Sequence, residues 1–182
     1  MTTVIKCLND WNATIEALGH GKQTILIRKN ITTANDFLLY PTVSYANNVD
    51  YLDSFKESEK DFLKENTLPN MNDKKYEIKY YATVEEVFKT PVSRIGKFND
   101  YHIWTKNHVR GYFNTKNANV WLLRVYELDE PQFLKRSKGM VFANVEKEVD
   151  VSKITPVIGD MEFAKLKEEI LSKIFFLFDI SL

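Results

Sequence analysis

With 182 residues, 44% of them hydrophobic and 27% charged, the chain has the composition of one soluble domain long enough to bury a full core. Its 25 acidic and 25 basic residues cancel, which argues against tight, sequence-indifferent binding to duplex nucleic acid, because that needs many phosphate contacts and an excess of base. A single cysteine, Cys7, excludes an intramolecular disulfide and a Cys-rich zinc site and fits a reducing compartment.

The balance of charge is uneven along the chain. Residues 46–73 hold seven acidic residues against three lysines, whereas 94–124 hold six basic residues against Asp100 alone, so a neutral total hides a basic stretch. Aromatic residues reach 13%, which suits either a thick β-rich core or a pocket lined with rings. The longest wholly apolar run, 174–178, is far too short to span a bilayer. The first residues lead into no signal-like apolar stretch. The expected location is the cytoplasm, with no membrane partner.

In chain order, Leu8, Trp11, Ile15 and Leu18 recur at helical spacing and predict an amphipathic helix over 8–18. Gly19 ends it and His20 with Gly21 completes a structural turn. Residues 23–29 predict a strand with Ile25 and Ile27 on one face and Thr24, Leu26 and Arg28 on the other. Sharing a face with Leu26, Arg28 is expected to be a partly buried charge. A polar loop over 30–36 leads to a short strand over 37–40, stopped by Pro41. The stretch 46–73, irregular at first, helical over 52–65 and loop-like over 66–73, reads as a lid or an insertion.

Tyr76, Ile78 and Tyr80 alternate with Glu77, Lys79 and Tyr81, as in a half-buried strand. Thr83-Val84-Glu85-Glu86 is a capping-box pattern that predicts a short helix limited by Pro91. A second short helix is expected over 105–113, and the clearest strand over 119–128, closed by Pro131. Another strand is expected over 140–145, and a final helix is capped by Asp160 and carries Phe163, Leu166, Ile170 and Ile174. Some five strands scattered among helices predict one α+β domain over 1–182 with a mixed or closed sheet.

The strong catalytic signatures are absent: no phosphate-binding glycine loop, no G-x-S-x-G and no H-E-x-x-H. No cofactor is therefore expected. His102 and His108 stand six apart, which does not align them on a helix for shared metal ligation, although a two-His site with a distant carboxylate stays open. Glu77-Ile78-Lys79 with Asp61 or Asp73 could hold Mg²⁺ and polarise a water in a nuclease, or Glu77 and Lys79 could be an exposed pair on a solvent face. Tyr101-His102-Ile103-Trp104-Thr105, ahead of a helix bearing His108 and Arg110, could stack on and hydrogen-bond a planar base. Equally, Trp104 could plug the core while Thr105 caps the helix.

The runs 16–29 (EALGHGKQTILIRK), 37–42 (FLLYPT), 102–105 (HIWT) and 122–128 (LLRVYEL) resemble a prokaryotic family catalogued as domain of unknown function 1802. The resemblance covers nearly the whole chain, with Pro156-Val157 and Phe163 fitting its C-terminal end. It implies an association with restriction-type systems. More distantly, the order of features is similar to the ASCH branch of PUA-like β-barrels, which carry a G-x-K-x-x-E-x-R strand followed by I-Y-x-[ST]. Gly21 and Arg28 match the first motif and Leu39-Tyr40-Pro41-Thr42 the second; residues 78–88, then 108–113 with 120–131, fit the later blocks. This resemblance implies a partly closed barrel of about five to seven strands with flanking helices.

Gln23 stands where that motif has Lys, and Leu26 where it has Glu or Thr. The groups that would activate a nucleophile are missing, so the implied role is recognition of RNA, or of a modified or flipped base in DNA, rather than catalysis. Arg28 and Arg124 would contact phosphate or a carbonyl, with Arg110 as a further cation. Tyr40 and Trp104 would stack, and Thr42, His102 and Thr105 would hydrogen-bond base edges. Two alternatives remain: a metal-dependent nucleic-acid hydrolase using Glu77 and Lys79 with Asp61 or Asp73, and a protein-interaction domain that meets a partner nuclease through the apolar tail 175–182.

Overall fold

One mixed sheet of eight strands organises residues 2–175, the part of the chain that the computed structural model describes. β1 (Thr3–Trp11) runs straight into α1 (Asn12–Gly19), so the expected helix over 8–18 gives up its first part to a strand. Thr3, Val4 and Ile5 are β-branched and favour an extended chain. The spacing of Leu8 and Trp11 to Ile15 coincides with a helical period without being part of one. Nor is α1 amphipathic, since every residue from Asn12 to Leu18 is buried. Asn12 donates to the Asn66 carbonyl at 2.7 Å, and the Ala13 N–H donates to the Tyr45 hydroxyl at 3.2 Å.

Gly19 closes α1, but the left-handed residue of the turn is Gly21, with φ +69. Gly19 is required by close approach instead: a Cβ there would lie 2.1 Å from the Tyr80 ring. β2 (Ile25–Arg28) and β3 (Asp36–Thr42) follow. β3 continues through Pro41 rather than stopping there, because beyond Leu38 it is paired on one side only, with β1, and a strand edge tolerates proline. Three 3-10 turns between Ser44 and Glu59 lead to α2 (Lys60–Glu65). Phe55 and Leu63 of this stretch are buried in the main core.

β4 (Met71–Asn72) pairs with the start of β5 (Lys75–Pro91). The helix expected from the capping-box pattern at 83–86 does not form. These residues pair along β6 (Asn117–Leu134), from Thr83 opposite Arg124 to Pro91 opposite Asn117, and a ladder this long outweighs a local capping preference. β6 likewise passes Pro131, where the register against β5 skips from Glu127 to Gln132 and leaves the proline in a bulge. α3 (Lys106–Tyr112) lies between the two long strands. β7 (Phe142–Asp150), β8 (Ile154–Pro156) and α4 (Asp160–Phe175) complete the chain. The tail 176–182 lies outside the described residues.

The sheet order is β2-β6-β5-β3-β1-β7, with β4 on β5 and β8 on β6. Among the described residues only β1 and β3 run parallel. Eight strands exceed the five to seven expected, because β1, the two-residue β4 and the three-residue β8 carry weak local signals. The sheet is curled rather than flat. Beyond β6, Arg136 bridges Val145 of β7, and Phe37, Leu39 and Leu122 pack with the helices on one face while Cys7, Leu38, Ile78 and Leu134 pack together on the other. Among the described residues no helix is long and apolar enough to cross a membrane.

Candidate functional site

β1 and β2 are not paired with each other, and a cleft of about 120 Å³ opens between their ends. Asp10 and Trp11 from β1 and Ile27 and Arg28 from β2 form one wall; Trp104 with His108, Val109, Tyr112 and Phe113 forms the other. Arg28 Nη2 donates to Asp10 Oδ2 at 2.5 Å, and the Trp11 N–H donates to Asp10 Oδ1 at 2.7 Å. The two charged side chains are 19% and 12% exposed. Burial pushes the Asp10 carboxyl above the usual carboxylate range while the Arg28 guanidinium pulls it down.

The Arg28 guanidinium lies 5.7 Å from the Trp121 ring centroid, a cation–π distance. The Trp121 indole is fixed by donating to the Asn30 carbonyl at 3.0 Å. A guanidinium has five N–H donors, and Asp10 is the one side-chain acceptor Arg28 meets among the described residues. Donors therefore remain for a guest in the cleft.

The rings of the cleft are held from behind. Trp11 stacks on Tyr45 at 4.9 Å and 19° and meets Phe55 edge-on at 6.0 Å. The His108 ring lies 5.7 Å from Trp11 and 6.4 Å from Trp104. Trp104 bridges Phe55, and the flanking Lys56 N–H to Ile103 carbonyl and Thr105 N–H to Ser54 carbonyl bonds tie both sides of it down. Its indole N–H has no acceptor among the described residues. Thr105 Oγ1 accepts from the His108 N–H at 3.1 Å and so caps α3, and Trp104 is 9% exposed and part of the main core, as one of the two sequence readings expected.

His102 sits behind Trp104, 5.6 Å from its ring, and is 3% exposed. Burial, then the Lys56 ammonium, then His108 push its pKa down to about 3. Lys56 donates to the carbonyls of Asn99 and His102, and burial lowers its pKa.

Asp10, Trp11 and Arg28 are shared with a second, broader groove of about 750 Å³. Tyr40, Pro41, Thr42 and Tyr76 line it together with the loop between β6 and β7, which brings Lys135, Arg136 and Lys138. Arg136 lies 5.4 Å from the Tyr40 ring centroid, and the Tyr40 hydroxyl donates to the Leu134 carbonyl at 3.1 Å. Asn9 Nδ2 donates to the Gly139 carbonyl at 3.0 Å and anchors the loop to β1.

Of the residues singled out in the sequence, Arg28 and Trp104 meet in the cleft, and Tyr40 and Thr42 join Arg28 in the groove. Thr105 and His102 support the wall from outside it. Arg110 is exposed on α3 and lines neither space. Arg124 is not brought here: it pairs with Asp160 of α4 and lies 5.0 Å from the Phe163 ring and 5.6 Å from the Tyr126 ring. Gln23 and Leu26 are fully buried, and Gln23 spends its amide on the Ile25 carbonyl at 2.8 Å and the Ile103 N–H at 3.4 Å. Neither presents a group to the cleft.

The E-x-K residues go elsewhere too. Lys79 reaches the buried Glu16 at 2.5 Å, Glu77 accepts from Asn70 at 2.6 Å, and Asp61 stands exposed beside Lys64. Asp73 is in the β4–β5 turn with φ +48. Among the described residues no three His, Cys, Asp or Glu side chains are grouped to hold a metal. Sequence reasoning missed Asp10 and Trp11, which it had assigned to a helix, and the groove cations, although Lys135-Arg136-Ser137-Lys138 is a visible basic run.

A family model described as Domain of unknown function (DUF1802) matches residues 7–169. No curated protein matches the chain. Among solved structures, the ASCH protein of Zymomonas mobilis is similar at 15% identity and a TM-score of 0.44, over 90% of this chain and 93% of that one. Two mutant forms of the same protein match at 14% identity and a TM-score of 0.44, each over 90% of this chain and over 96% and 94% of their own.

Proposed function

The chain belongs to the DUF1802 family, a domain of unknown function, and from its geometry we propose that it recognises nucleic acid by accepting one unstacked base in the cleft between β1 and β2. The observation that carries this reading is the Asp10–Arg28 pair, part-buried between aromatic walls and open to a basic groove. Trp104, Trp11, Tyr112 and Phe113 supply planar or edge contacts for a ring. Arg28 offers N–H donors to base carbonyls, and Asp10 offers acceptor lone pairs to exocyclic amines and ring N–H groups. Tyr40 and Thr42 lie on the groove side, where a neighbouring sugar or base would pass. In this reading the curled sheet, tied by the Arg136–Val145 bridge, is a PUA-like, partly closed barrel, and the cleft is the gap in its wall.

Intrinsic tryptophan fluorescence tests the proposal, because Trp11 and Trp104 line the cleft. Titration with the common nucleoside monophosphates and with short oligonucleotides at low salt should quench and shift the emission. Arg28→Lys, which keeps the charge and loses the planar fork, should weaken the response to a subset of bases. Emission unchanged by every nucleotide and oligonucleotide would remove the reading.

A further inference from the structure

The cleft is small and closed by rings, while the groove beside it is broad and carries cations. The two share Asp10, Trp11 and Arg28, so they adjoin along the Asp10–Arg28 pair. In the groove, Lys135 and Lys138 are exposed, and neither has an ion-pair partner among the described residues. Arg136 is held by its contact with Tyr40 and by donating to the Ser137 carbonyl at 3.1 Å. The loop that carries these three cations is pinned at Gly139, whose carbonyl accepts from Asn9 Nδ2 at 3.0 Å. A fixed loop keeps its charges at a fixed distance from the cleft.

Resting on the base-binding reading, we infer that the groove is a separate phosphate-binding track and that the ligand is a single-stranded polynucleotide of a few nucleotides. One base occupies the cleft and the adjoining backbone runs past Lys135, Arg136 and Lys138. A single strand is favoured over a duplex on two grounds. An unpaired base enters the cleft without the unstacking and unpairing cost that flipping one out of a duplex carries. Three groove cations, with Arg28 already paired to Asp10, supply about three phosphate contacts, few for a duplex on a chain of zero net charge. Tyr76, half-buried at the groove and backed edge to face by the buried Tyr40 ring at 6.1 Å, offers ring surface to a following base, as single-strand binders use.

Fluorescence anisotropy with labelled RNA and DNA strands of about six nucleotides, each also as a blunt duplex, tests this. Either single strand should bind in preference to its duplex, with a log–log salt slope of about −2, close to −0.7 for each of three contacts. The Lys135→Gln/Lys138→Gln variant, altered only at exposed positions, should bind the strands about tenfold more weakly and lower the slope by about 1.4. Nucleosides, which carry no phosphate for the track, should quench the same variant as they quench the natural chain. Equal binding of duplex and single strand, or an unchanged slope in the double variant, would overturn the track while leaving base binding intact. Absence of quenching by mononucleotides in the natural chain would overturn both readings.

Discussion

Arg28 and Asp10 stand four ladders apart in the order of the sheet, yet their side chains meet at 2.5 Å. The contact exists because the sheet curls until the end of β2 faces the end of β1, without the two strands pairing. The unpaired gap is what leaves room for a guest, and the ion pair is what holds its width.

That pair sets the first prediction. Arg28→Ala leaves the Asp10 carboxylate buried without its cation, a loss of about 3 kcal/mol. Adding Asp10→Asn removes the stranded charge and should recover about 1–2 kcal/mol of it. Urea denaturation of the two single variants and the double variant checks the cycle; strict additivity would show that the two groups are not coupled in the fold.

Acid should destabilise the protein through His102. Its imidazole is held neutral down to about 3, whereas the unfolded chain takes up the proton near 6.5. Between these values the unfolded state binds more protons, so stability falls as pH falls, by up to about 1.4 kcal/mol per pH unit. His108, also lowered by burial, adds in the same direction. Urea midpoints followed from about pH 7 to about pH 4.5 should drop, and His102→Gln should flatten that slope. A pH profile identical in the variant would assign the acid sensitivity to other groups.

Gly19→Ala should cost about 1–3 kcal/mol by overpacking. The added methyl meets the Tyr80 ring, which is 5% exposed and whose hydroxyl donates to Glu16 at 3.3 Å, so the ring has little freedom to move aside. Pairing the change with Tyr80→Leu should return part of the loss. Thermal melts of the four proteins would show it, and a harmless Gly19→Ala would mean that the ring yields.

Thr105→Ala removes the cap of α3 and should lower stability by about 1 kcal/mol. Because α3 carries His108, Val109 and Tyr112 of the cleft wall, with Phe113 directly after it, the same change should weaken oligonucleotide binding more than Arg110→Ala does. Denaturation and anisotropy on both variants separate the two effects. An Arg110→Ala variant that binds more weakly than Thr105→Ala would move the interface onto the exposed face of α3.

Much of this protein is determined by local sequence. Alternation along 119–128, the branched aliphatics of 23–29, the cap at Thr105 and the stripe from Phe163 to Ile174 each fix an element, because backbone propensity and side-chain period act within a few residues. The placing of Leu26 and Arg28 on one face sufficed to expect a partly buried charge. Tertiary structure decided the rest. A ladder of 14 paired positions against β6 turned the capping-box pattern at 83–86 into strand, and bulges and one-sided pairing carried strands past Pro131 and Pro41. Arg28 could be chosen from sequence, but its partner could not. Asp10 reaches it only through the curl of the whole sheet, a property set by ladders between residues far apart in the chain.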